Sequence, residues 1–174
     1  MMPRVDFGSL PADGRLWVFA SDRPLRGEDA ALLLAEVDQF LERWQAHGAP
    51  LRCAREWRNE HFLAIGIDPT AEQASGCSID GLFRELQRVQ GALKTNLVGG
   101  GRVFFRDRTG AVRTTSRAEL RTLAARTEVD DATPVFDTSL MTVGEWRTRF
   151  EQPARASWVR ALLADAQASQ SSSR

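Results

Sequence analysis

The stretch Ala74-Ser75-Gly76-Cys77-Ser78-Ile79-Asp80 has the greatest capacity for chemistry in this chain, because it sets a thiol at the mouth of an expected helix. The N–H groups of a helix's first turn lack intrahelical partners and carry partial positive charge, which favours a thiolate over a thiol. With Ser75 as N-cap, Cys77 takes the second helical position; Asp80, one turn on, opposes the effect, and Ser78 is the other possible cap. Two uses follow. Ser75, Gly76, Ser78 and Asp80 could line a place for a small anion or an acidic group of a partner, or Cys77 could act as a nucleophile or redox-sensitive thiol. A nucleophile needs a base, and the chain holds only His47 and His61. His47 is the base this reading would use, although at the end of the first expected helix it also suits compensation of the helix dipole.

Other chemistries fit less well. Cys53, Cys77, His47 and His61 show none of the short spacings that pre-arrange metal ligands, so neither metal nor cofactor is expected. Gly91-Ala92-Leu93-Lys94-Thr95 contains a Lys-Thr pair, but Leu93 stands where a phosphate-binding loop needs Gly, and the pair falls at the end of a helix. P-loop ATP hydrolysis is therefore rejected. Arg102, Arg106, Arg108, Arg113, Arg117, Arg121 and Arg126 form a basic run around Phe104 and Phe105, which makes a surface for single-stranded nucleic acid conceivable. Glu128, Asp130, Asp131 and Asp137 follow at once, and a solvated face is the stronger reading.

The elements that must position these groups can be read from periodicity. Arg15 to Ala20 reads as a buried strand. Ala30, Leu33, Leu34, Val37, Phe40, Leu41 and Trp44 form the stripe of a core-facing helix, closed by Arg43 and His47 with Gly48 as its left-handed terminator. Leu51–Trp57 and His61–Ile67 make a hairpin through Asn59-Glu60. A second helix turns Ile79, Phe83, Leu86, Val89 and Leu93 inward, and Val103-Phe104-Phe105 begins another strand. Strand, helix, hairpin, helix, strand is the order of a ferredoxin-like α+β sheet with two helices.

Beyond it, a hairpin around Asp107–Gly110, a helix opened by the capping-box pattern Ser116-Arg117-Ala118-Glu119, and a brief edge strand at Thr133–Phe136 form a smaller extension. Trp146, Phe150, Trp158 and Leu162 are expected to fold back on the sheet. The expected plan is an arm over 1–14, a core over 15–107, an extension over 108–165 packed on that core, and a disordered tail over 166–174.

Composition agrees with a soluble protein. The 174 residues are 43% hydrophobic and 26% charged, and Lys+Arg and Asp+Glu each number 23, so no global field draws the chain to nucleic acid or membrane. Two cysteines do not make a disulfide framework, no apolar run approaches the roughly 20 residues of a membrane span, and no signal peptide is read at the N-terminus. A cytoplasmic location is expected. Ligand, partner and oligomeric state are not legible.

Two segments, Trp44-Gln45-Ala46-His47-Gly48-Ala49-Pro50-Leu51 and Ala74–Asp80, resemble a group of short bacterial proteins often labelled ABC transporter ATPases. The similarity runs from Leu16 to about Trp158, with Phe105-Arg106, Ser116-Arg117 and Trp158 in their usual order. It implies that His47 and Cys77 lie in hallmark segments; it carries candidate positions and no reaction, since the Walker A loop is missing. The hairpin–helix–strand run with Ser116-x-x-Glu119-Leu120 also resembles small bacterial peptide-binding modules of the GYF-like type, without the aromatic cluster of their groove.

Overall fold

In the computed structural model, which describes residues 4–70 and 72–171, a 3₁₀ turn at Phe7–Ser9 leads into β1 (Arg15–Ala20) and α1 (Gly27–Glu42). Four strands follow, β2 (Gln45–Ala46), β3 (Ala49–Pro50), β4 (Cys53–Arg58) and β5 (Phe62–Ile67), and then α2 (Gly76–Leu93). The rest comprises β6 (Arg102–Arg106), β7 (Val112–Ser116), α3 (Arg117–Ala125), β8 (Pro134–Phe136), α4 (Val143–Arg149), β9 (Glu151–Pro153), a 3₁₀ turn at Ala154–Ala156 and α5 (Val159–Ser171). Two compact units result: Met1–Gly99 with Thr138–Arg147, and Gly100–Asp137 with Thr148–Arg174. The class is mixed α and β with antiparallel sheets.

The first unit holds an antiparallel sheet of order β1-β5-β4, with Trp17 opposite Ile65 and Arg55 opposite Ile65 from the other side. Side chains alternate across a strand. One face therefore carries Phe19, Leu63, Ile65, Ile67 and Cys53, which pack with Leu33, Val37 and Leu41 of α1 and Leu82, Leu86 and Val89 of α2. Each such side chain contributes about 1.5–3 kcal/mol by leaving water. The opposite face carries Gly66, over which Leu10, Phe7 and Val143 close in. The expected N-terminal arm is thus part of this unit's core: Phe7 and Leu10 are buried.

Three strands follow the order expected of a ferredoxin-like sheet, but the fourth does not. Residues Arg102–Arg106 pair with β7 and β8 instead, and among the described residues the outer edge of β1 meets only a single bridge from Arg15 to Thr142, with the Leu16 N–H donating to the Met141 carbonyl at 2.8 Å. The boundary consequently falls at Gly99 rather than at 107, and residues 138–147 return to the first unit.

In the second unit the sheet order is β7-β6-β8-β9. Pro134–Phe136 is therefore an inner strand and not an edge, because Glu151–Pro153 pairs along its free side. The capping box forms as expected: Ser116 Oγ accepts from the Glu119 N–H at 3.1 Å, and the Glu119 carboxylate accepts from the Ser116 N–H at 3.0 Å. Val103, Phe105, Leu120, Val135, Val159 and Leu163 make this core. Trp158 stays partly exposed at 37%, beneath the Arg117 guanidinium of this unit, whereas Trp146 is buried in the first unit, where Arg58 of β4 lies over its ring. Helix α5 runs to Ser171, past the point at which a disordered tail was expected to begin; residues 172–174 lie outside the described part.

Candidate functional site

The entrance of α2 is built as its sequence requires. Ser75 is the N-cap: its hydroxyl accepts from the Ser78 N–H at 3.2 Å, and its carbonyl accepts from the Ser78 hydroxyl at 2.8 Å and the Ile79 N–H at 3.0 Å. Gly76, Cys77 and Ser78 are then the first three helical residues, and the N–H groups of Gly76 and Cys77 stand at the open end. Cys77 is exposed there, as is Asp80, whereas Ser78 is buried. The inward face centres on Ser78, Leu82, Leu86, Val89 and Leu93, with Ile79 and Phe83 on its flank.

His47 does not close α1. The helix ends at Glu42 with Arg43 as C-cap, and Trp44 turns into the core, where its ring lies against Trp17 and Phe40. His47 and Gly48 then form the turn between β2 and β3, with φ of 52° and 81°. Left-handed backbone at both central residues is what a two-residue hairpin demands, and Gly adopts it without strain. Assigning His47 to the α1 dipole is therefore wrong, because the residue lies beyond that helix and is exposed.

Segments 44–51 and 74–80 do meet, but not through His47 and Cys77. The buried Trp44 indole N–H donates to the Ser78 carbonyl at 2.8 Å and ties the β2 entry to the first turn of α2. Among the described residues, neither the His47 ring nor the Cys77 sulfur takes part in a hydrogen bond.

Cys53 and His61 are structural. Burial pushes the Cys53 thiol up to about 12, against the opposing charge of Arg4, and its sulfur lies 3.5 Å from the Leu41 carbonyl. His61 is buried with Nδ1 at 2.9 Å from the Ser21 carbonyl. Among the described residues no three His, Cys, Asp or Glu side chains gather as a metal site. Lys94 is the left-handed C-cap of α2, the end of a helix that repels phosphate.

The basic run does not make a nucleic-acid surface of the expected kind. Phe104 and Phe105 are buried, so no base can stack on them. Arg106 forms a bidentate pair with Glu151 and stacks on Phe136, Arg113 pairs with Asp107, and Arg117 covers Trp158.

A second site escaped the sequence reading: a cleft of about 900 Å³ beside β4, walled by Phe7 and Gly8 and by Glu42, with Arg55 and Trp57 along its floor. β4 is an edge strand. The Val5 N–H donates to the Cys53 carbonyl at 2.9 Å on the side away from β5, while Arg52 O accepts from Asp68 on the other. In an antiparallel strand one residue's N–H and C=O point the same way, and the direction alternates. Arg55 and Trp57 therefore present their N–H and C=O groups to the cleft, and among the described residues no strand pairs with them. The only local signal was the alternation of Arg55-Glu56-Trp57-Arg58, which does not say which strand lies at an edge. No family model matches this chain, and comparison with curated proteins and with solved structures likewise finds no match.

Proposed function

We propose that this chain is a binding module that takes an extended segment of a partner protein along the open edge of β4. One observation carries the reading: the hydrogen-bonding edge at Arg55 and Trp57, unpaired among the described residues, coincides with a cleft large enough to receive a chain. Added strands satisfy such an edge through main-chain hydrogen bonds, and alternate side-chain positions supply selectivity. A cytoplasmic setting, where the free thiols of Cys53 and Cys77 stay reduced, fits this use. The test is panning of a random-peptide display library followed by amide exchange on the selected peptides. In the free protein the Arg55 and Trp57 amides should exchange quickly while those of Ala54 and Glu56 are protected; a bound peptide should slow the first pair. Rapid exchange at Arg55 and Trp57 in the presence of every selected peptide would refute the reading.

Cys77 supports a second reading, a reactive thiol at the α2 entrance, because the sulfur is exposed on the second residue of a capped helix. It requires Cys77 to react with iodoacetamide faster than N-acetylcysteine does at neutral pH. Equal or slower alkylation removes it.

A further inference from the structure

We infer that the cleft beside β4 selects a partner segment bearing an acidic side chain, which Arg147 receives; this rests on the strand-addition reading above. Most of the charged groups around the cleft already have partners. Arg4 and Arg55 share the Asp38 carboxylate, with Arg55 bidentate at 2.6 and 2.7 Å and Arg4 at 3.1 Å. Arg58 is held by Glu56 at 3.0 Å and lies over the Trp146 ring, and the same carboxylate accepts from the Trp146 indole at 2.6 Å. Asp6 accepts from the Gly8 N–H at 2.8 Å.

Arg147 differs from all of these. Its Nη2 donates to the carbonyls of Phe7, Gly8 and Leu10 at 3.1, 3.1 and 2.9 Å, and among the described residues no carboxylate lies within ion-pair distance of it. A guanidinium has five N–H donors. Among the described residues those of Nε and Nη1 carry no bond, and the residue is exposed at the wall of the cleft. The three carbonyls hold the side chain in place, so a carboxylate would meet a pre-positioned donor set.

Alternation across the strand places this group. Arg147 and Phe7 flank the face of the sheet that carries Glu56 and Arg58, whereas Glu42 of α1 flanks the other. In an added strand, every second side chain would face Arg147 and the intervening ones would lie towards Trp57 and Glu42. The matching segment has an Asp or Glu at one position and uncharged or basic neighbours. The edge lies between walls, so a single extended chain can reach it, while the equally walled edge of a second copy cannot.

The experiment measures binding of three fluorescein-labelled peptides by anisotropy: acetyl-Thr-Val-Glu-Val-Thr-Val and its counterparts with Gln or Lys for Glu. The expected result is about tenfold tighter binding of the Glu peptide, weakened as salt rises from about 50 to 500 mM. R147Q should erase the preference, and R147K, which keeps the charge with fewer donors, should retain about a third of it. Should R147Q fail to fold, R147K decides by the same comparison. Equal binding of all three peptides by the wild type, or a preference that survives R147Q or is undiminished in R147K, would overturn the inference and leave strand addition standing. Binding of none of the three, with Arg55 and Trp57 amides still exchanging freely, would overturn both.

Discussion

Gly66→Ala is the most informative single change, because Gly66 joins the sheet to the wall of the cleft. The residue is buried in the middle of the central strand, paired with Leu16 on one side and Ala54 on the other. A Cβ built there would lie 2.7 Å from Leu10 Cδ1, 3.2 Å from Val143 Cγ2 and 3.4 Å from Phe7 Cε2. The first distance is too short for two carbons. Leu10 Cδ1 is the end of a side chain, but Leu10 is 2% exposed and Val143 is fully buried, so neither can swing into water. Overpacking of this kind costs about 1–3 kcal/mol. Replacing Gly by Ala stabilises through the unfolded chain by about 0.4–1 kcal/mol. The steric cost wins, and a net loss of about 1–2 kcal/mol is expected.

The assay is urea denaturation followed by tryptophan fluorescence, with the double variant G66A/L10A closing a thermodynamic cycle. L10A alone should lose about 2–5 kcal/mol through its cavity. The two losses should not add, because the new methyl relieves its clash by entering that cavity, and a coupling of about 1 kcal/mol is expected. Relief in the single variant must come from movement of Phe7–Leu10, so the Val5 amide, bonded to Cys53, should exchange faster. A G66A protein as stable as the wild type, or strict additivity with L10A, would refute the packing argument.

Asp68 accepts from the Thr70 side chain and backbone and from Arg52, and these bonds hold its carboxyl below the usual carboxylate range against the effect of burial. A depressed folded value means that the stabilisation is complete above the unfolded carboxylate range and is lost as pH falls through the folded value. D68N should therefore be about 1–3 kcal/mol less stable at pH 7, and the gap should narrow between about pH 5 and pH 2 in urea titrations; a constant gap would count against this account. Ser116→Ala should remove the capping box at α3 for about 1 kcal/mol and speed amide exchange in the first turn of that helix, and unchanged exchange would show the cap to be dispensable. Native alkylation should modify Cys77 and spare Cys53, which should react only in denaturant; labelling of Cys53 in the folded protein would contradict its burial.

Short-range order was legible in the residues themselves. The stripe from Leu33 to Leu41, the cap at Ser75 and the capping box at Ser116 rest on neighbours within one or two helical turns, and the structure forms all three. So does the turn at Asn59 and Glu60, where both residues are left-handed. The exposure of Cys77 followed from the same local logic, as its position relative to the cap leaves it outside the buried face. The α1 terminus lies earlier than its stripe suggests, and the residue beyond it has a tertiary partner: the Trp44 indole donates to the Ser78 carbonyl, far along the chain.

Beyond the two hairpins, β4–β5 and β6–β7, which strand pairs with which was decided only by the folded chain. Val103 to Phe105 is as apolar as any ferredoxin-like fourth strand, and its composition carries no address; its partners, β7 and β8, come later in the chain. The cleft is likewise a product of assembly, since Phe7, Glu42, Trp57 and Arg147 are far apart in sequence and are brought together by the sheet and the elements packed on its two faces. Periodicity records how each segment divides oil from water. Edges, walls and unmatched donors depend on what the neighbouring segments leave uncovered, a property that no segment possesses alone.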